Sequence, residues 1–259
     1  MKIWLAAILW ALFTIQRCGA ADWTPPDDPE PQKILDEAQI DAQAGRFETA
    51  LAKHIWYHRN ALKYDSAQGG VRLSFALSSW KQLADQFPPA LDDLKAERDA
   101  TKERVLEGKN FPHCFGDLAG INRVLGEEKQ TAETFVVLDR DRPAQAILAY
   151  LWAEDALLQE KQYDLCGKYC DPDQAYRQAL RNYKDSKRHV LRTPESLRLL
   201  QSSEARFTRR AATIVALMVI TKRHKEAELI ADKAKDAIDW EPHRKAIDDA
   251  LAGQMPKPQ

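Results

Sequence analysis

His54 and His58 stand four residues apart in the run LAKHIWYHRNALKY, residues 51–64. Residues i and i+4 share one face of a helix, so the two imidazoles could face a single metal ion. A metalloprotease built this way needs a glutamate base at position 55, and Ile55 is there. Zinc also needs at least one further ligand, and none stands nearby in the sequence. The neighbours Trp56, Tyr57 and Tyr64 favour an aromatic seam in which histidines pack and hydrogen-bond, so no metal or other cofactor is assigned and His54 and His58 remain secondary metal candidates.

Other chemistry-bearing residues are equally incomplete. Cys166-Gly167-Lys168-Tyr169-Cys170 is a CxxxC, not the CxxC of redox or zinc-ribbon sites, and Gly167 with the coming Pro172 suggests a loop or frayed helix end. Together with Cys114 these make three thiols after the N-terminal Cys18. One bridge plus one free thiol, and three unpaired buried thiols, are both open readings. His113-Cys114 has the residue types of a nucleophile and its base, but adjacent residues rarely face each other and no orienting acid follows, so it is expected in a loop. There is no P-loop, dinucleotide glycine fingerprint, GxSxG or calcium loop. The expectation is a protein without catalytic residues. Arg177, Arg181, Lys184 and Arg188, spaced four, three and four apart, form one basic stripe beside Tyr176 and Tyr183 that a polyanion or anionic surface could meet.

The elements that must position these groups read as helices. Glycine totals only 10 of 259 residues, and no stretch keeps a strand period for long. Helices are expected near 32–44, 48–63, 70–86, 89–107, 115–125, 128–139, 143–160, 172–190, 194–221, 224–238 and 241–252. Pro88, Pro143, Pro172 and Pro194 mark several starts, because the first turn of a helix has no use for the N–H that proline lacks. Short connections predict antiparallel neighbours and an all-α fold.

At the N-terminus Lys2 precedes an apolar run from Ile3 to Ile15, and small residues Gly19, Ala20 and Ala21 follow. That run of about 13 residues is shorter than the roughly 20 that span a bilayer, so 1–21 is expected to be a cleaved signal peptide and the protein exported, periplasmic or secreted. Residues 22–32, DWTPPDDPEPQ, are expected as an extended linker, 33–253 as the folded domain and 254–259 as a disordered tail. Without Lys2 and Arg17 the basic count falls from 38 to 36 against 39 acids, a net charge of about −3 that gives no reason to expect nucleic acid as partner.

Three turns share a pattern. Ala38 precedes Gly45-Arg46-Phe47 and Ala50; Gly120 precedes Glu127-Glu128 and Ala132; Val215 precedes Lys222-Arg223-His224 and Ala227. Small residues twelve apart allow two helices to cross closely. The pattern resembles the tetratricopeptide repeat, a helix-turn-helix unit of about 34 residues. The stretch from His54 through Trp80 to Leu91 also resembles uncharacterised exported bacterial proteins of this type, a likeness that brings no activity with it. Four residues are inserted between Ala50 and Ala61, and the closing proline is missing after Asp65. The candidate turn at Lys161-Gln162-Tyr163 is cut short by Pro172.

The resemblance implies a TPR-like α-solenoid of antiparallel helix pairs that binds a protein or peptide on its concave face. Gln32, Leu35, Gln39, Ala42 and Gln43 would be the groove-facing positions of the first unit. The lysine and asparagine clamp for a peptide carboxylate is absent. The expected function is therefore a scaffold or adaptor. The alternatives are an enzyme with a metal at His54 and His58, and a binder of anionic envelope polymer or membrane surface through Arg177, Arg181, Lys184 and Arg188.

Overall fold

The computed structural model describes residues 23–188 and 193–257. The expected signal peptide, 1–21, lies outside the described residues, as do 189–192 between the last two long helices and the last two residues of the tail. Among the described residues the fold is all-helical, without strands. The described residues form two compact units that divide between Asp99 and Ala100.

The first unit holds α1 (Pro31–Gln43), α2 (Phe47–Tyr64), a 3-10 turn (Ser66–Gln68), α3 (Gly69–Arg72), α4 (Phe75–Ala84) and the start of α5 (Pro88–Glu107). Its core gathers Leu35, Tyr57, Ala61 and Ala76, with Trp56 and Val71 packed against them. The α1–α2 crossing is close because Ala38 and Ala50 are fully buried where it occurs. A charged staple reinforces it: Lys53 reaches Glu37 at 2.8 Å and Asp41 at 2.9 Å, and Arg46 reaches Asp41 at 2.6 Å. Burial opposes the Asp41 charge, but the hydrogen bonds from Lys53 and Arg46 outweigh it and hold the carboxyl below its usual range.

The segment before α1 touches the helices at several points. Pro29 and Pro31 are buried, and Pro31 opens α1. The Trp23 ring meets Trp56 edge-on at 6.4 Å, with the Lys53 ammonium 5.7 Å from the Trp23 ring centre. The acids of DWTPPDDPEPQ offer nothing to bury, but its tryptophan does. The helix expected over 70–86 is also broken, at Leu73–Ser74: the Ser74 hydroxyl donates to the Gly70 carbonyl at 2.7 Å, and the Gly69-Gly70 pair has little helix propensity of its own.

The second unit contains the end of α5 and α6 (His113–Leu125), α7 (Glu128–Asp141), α8 (Pro143–Gln159), α9 (Tyr163–Tyr169), α10 (Pro172–Arg188), α11 (Pro194–Ile220), α12 (His224–Ala237) and α13 (Glu241–Leu251). Helix α11, about 40 Å long at 1.5 Å per residue, is the axis: α9, α10, α12 and α13 all pack on it. From Ile214 to Met218 every side chain is buried, which is why ATIVALMVI is apolar all round. No helix among the described residues is long and apolar enough to cross a membrane. The tail is held as far as Met255, which packs on the core, in place of the disorder expected from 254.

Helix α9 occupies the stretch expected to be a loop or frayed end, and it explains the repeated turns. After α1, α6, α8 and α11 the chain passes through one left-handed residue: Gly45 (φ 76°), Gly126 (φ 70°), Lys161 (φ 55°) and Lys222 (φ 62°). In each case its N–H bonds the carbonyl three residues back, and the next N–H bonds the carbonyl five back, as in Arg46 to Asp41 at 2.9 Å and Gln162 to Leu157 at 2.8 Å. Five residues further on stand Ala50, Thr131, Cys166 and Ala227, all buried. The second turn thus places Thr131, not Ala132, at the position matching Ala50, and the Asn122 amide donates to its hydroxyl at 2.9 Å.

Candidate functional site

Three of the five expected groove positions do come together. Gln39, Ala42 and Gln43 of α1 face Ser78, Ser79 and Gln82 of α4, and Gln86 in the turn after it, across a cleft of about 340 Å³ that Phe75 and Leu83 also line. Phe75 is 74% exposed, a large aromatic ring left in solvent beside a polar cleft. Gln32 is exposed at the start of α1 and donates to Asp36 at 2.8 Å, away from the cleft. Leu35 is a correction: it is 2% exposed and belongs to the core with Tyr57, so it is not a partner-binding residue. An aliphatic side chain beside Ile34 and Ala38 has more to gain on the face turned to α2.

The cleft is lined by side-chain amides and hydroxyls together with the apolar Ala42, Phe75 and Leu83, with no titratable group among the residues that form it. Its polar atoms offer hydrogen-bond donors and acceptors, with no titratable acid or base among them. The α4 contribution was missed because the broken helix hid it. Phe75, Ser78, Ser79, Gln82 and Gln86 follow helical spacing, and that polar stripe was readable once α4 was given its own start.

The two histidines lie on α2 in the same unit, and both are buried. They bracket Trp80, His54 stacked on its ring at 6.3 Å and 15° and His58 meeting it at 6.0 Å and 70°. Trp80 is itself fixed by donating from Nε1 to the Ala90 carbonyl at 3.0 Å. No group of three His, Cys, Asp or Glu side chains placed to hold a metal occurs among the described residues. Burial pushes the His54 pKa down to about 4, so the ring stays neutral in the folded protein.

In the second unit the three cysteines are unbridged and buried. Cys114 lies in the first turn of α6, so His113-Cys114 opens a helix and is not a loop. Burial, with Glu154 nearby, pushes the Cys166 thiol up to about 12 and the Cys170 thiol up to about 11, opposite to an activated nucleophile. Their surroundings were not legible in the sequence: Glu154 on α8 accepts from Tyr150 at 2.9 Å and pairs with Arg210 on α11 at 2.7 Å. Arg223 donates to the carbonyls of Gly167 and Cys170, at 2.8 and 3.1 Å, closing the end of α9.

Arg177, Arg181, Lys184 and Arg188 are all exposed along α10 while Tyr176 and Tyr183 are buried on its other side. Arg181 donates to Gln178 at 2.5 Å and Arg188 pairs with Asp185 at 3.2 Å, which tempers the stripe's charge at its lower end.

No family model matches the chain, and neither a curated protein nor a solved structure does.

Proposed function

We propose that this is an exported, non-catalytic protein of the tetratricopeptide-like helical-repeat type, a scaffold or adaptor that holds an extended peptide segment of a partner protein in the α1–α4 cleft. The observation that carries the reading is the lining: four glutamine amides and two serine hydroxyls around about 340 Å³, with Phe75 exposed at the edge. Side-chain amides read backbone N–H and C=O groups without demanding a particular charge, and an exposed aromatic ring supplies the apolar anchor that peptide interfaces favour. The recurrent left-handed turn followed by a small buried residue supports the repeat assignment, and the uncharged lining supports binding over catalysis.

The test is selection of displayed peptides on the purified protein, then affinity measurement with Phe75→Ala and with Gln39→Ala/Gln82→Ala. Binding weakened about tenfold or more, with unchanged melting temperature, is the expected result. Equal affinity for wild type and both variants would move the site elsewhere, and failure to select any peptide would defeat the reading. Export is tested by the intact mass of the protein recovered from expressing cells: a chain starting at Asp22 supports cleavage, one retaining residues 1–21 supports an anchor.

A second reading rests on the exposure of all four α10 cations. Binding to an anionic envelope polymer that falls steeply with salt and is lost in a variant with Arg177, Arg181, Lys184 and Arg188 changed to Gln would establish it.

A further inference from the structure

Helix α8 is apolar on both sides. One face, Ala146, Ala149, Ala153, Ala156 and Leu157, is buried in the second unit. The other carries Ile147, Leu148, Leu151 and Trp152 over little more than one turn, with 65%, 56%, 77% and 41% of their surfaces in solvent. A helix that is hydrophobic all round belongs in an interior, and a contiguous patch of this kind marks a contact surface. The patch is also rigidly presented. The Trp152 ring lies across Gly116 of α6 so closely that a Cβ there would stand 3.2 Å from it. The exposed stripe thus includes an aromatic ring already fixed on its inner side.

The ends of the stripe say what covers it. At its N-terminal end α8 has no capping side chain and no acid in its first turn, and Arg140, Asp141 and Arg142 before it leave one net positive charge. At its C-terminal end Asp155 continues the exposed stripe, and Glu160 and Lys161 after it offset one another, leaving one net negative charge. Turned end for end, the face is complementary to itself.

We propose that α8 is the contact helix of a two-fold homodimer, packed antiparallel on α8 of a second copy. With the axis passing beside Ala149 and Tyr150, Leu148 meets the partner's Leu151, Ile147 meets the partner's Trp152, and the partner's Asp155 sits against Ala144 at the uncapped helix start. A parallel arrangement would set the two Asp155 carboxylates together instead. Asp155 lies within the stripe, and Arg140, Asp141, Arg142, Asp155, Glu160 and Lys161 together carry no net charge, which makes an anionic membrane surface the poorer match. The exposed apolar area is on the order of several hundred Å², below the roughly 800 Å² per partner of a standard stable interface, so the association is concentration-dependent.

The experiment is sedimentation velocity across a hundredfold concentration range, on protein purified from cells expressing the full sequence. A monomer–dimer transition is expected for the wild type. Leu151→Glu should weaken it by about 30-fold or more, with unchanged helicity and melting temperature because Leu151 is mostly in solvent within its own protomer. Orientation is read by mixing Ala144→Cys with Asp155→Cys protein, each also carrying Cys18→Ser: oxidation should yield the mixed crosslink in excess over either variant alone, Cys114, Cys166 and Cys170 being buried. A wild type that stays monomeric throughout, a dimer indifferent to Leu151→Glu, or crosslinks favouring identical positions would each overturn the proposal.

Discussion

His54 and Leu35 show how a side chain's surroundings override its apparent role. Both were candidates for contact with something outside the chain, and both are spent on the interior of the first unit. For His54 the consequence is measurable. Its ordinary pKa of 6.5 applies in the unfolded chain, while in the folded protein burial holds it at about 4. Below pH 6.5 the unfolded state takes up a proton that the folded state refuses. The neutral ring's contribution is therefore complete above about pH 6.5 and is lost as pH falls towards 4, amounting to about 3 kcal/mol over that window. Urea unfolding at pH 7 and pH 4.5 should show the loss, and His54→Leu should flatten the slope between them. An unaltered slope in the variant would mean that other groups dominate the acid response. The spacing of His54 and His58 on one face was legible in the sequence; that Trp80, 22 residues beyond His58, would slide between them was not, because nothing local fixes where α4 returns against α2.

Among the elements, the helix starts were the most legible part, since prolines and the Thr193–Ser196 cap act on their own neighbours. The turns were half legible. Gly45 and Gly126 announce a left-handed residue; at Lys161 and Lys222 the pattern placed a turn but the residue type did not announce its conformation, and Pro172 drew attention away from α9. That lysine geometry is strained, because a Cβ at positive φ crowds the backbone. Lys161→Gly and Lys222→Gly are each expected to stabilise the protein by roughly 0.5–1 kcal/mol, the relief of strain outweighing the added freedom of the unfolded chain. A fall in melting temperature would show that the lysine side chains matter more than their backbone. Gly167 poses the opposite case: a Cβ there would stand 2.4 Å from Thr221 Cγ2, where α9 passes α11, so Gly167→Ala should destabilise by about 1–3 kcal/mol. A thermal scan distinguishes the two effects by sign. Glycine at 167 suggested a loop from sequence alone, because close approach between helices distant in the chain leaves no local mark.

At the scale of the whole molecule, composition foretold the all-α class but not the division into two units, because both are built from the same amphipathic helices and the boundary falls inside α5. The second unit closes over Cys114, Cys166 and Cys170, and its integrity can be read through them. With Cys166 and Cys170 held as thiols up to about 12 and 11, alkylation by iodoacetamide at pH 8 should be slow in the folded protein and should follow global unfolding of that unit as urea is added. Mass spectrometry of the cysteine-bearing peptides measures it, and rapid labelling without denaturant would contradict the closed core. The proposed peptide cleft and the α8 face lie in different units, so the two proposals can be tested with separate variants.

Trp23, pinned between Trp56 and Lys53, changes the reach of whatever precedes it. Had residues 22–32 been a free tether, a leader retained in a bilayer would have let the helices wander well away from the membrane. The docked indole instead fixes the path of the chain at residue 23, against Trp56 and Lys53. A retained leader would keep the α1–α2 hairpin close to the lipid surface, whereas cleavage after Ala21 would leave a new terminus one residue from a packed tryptophan.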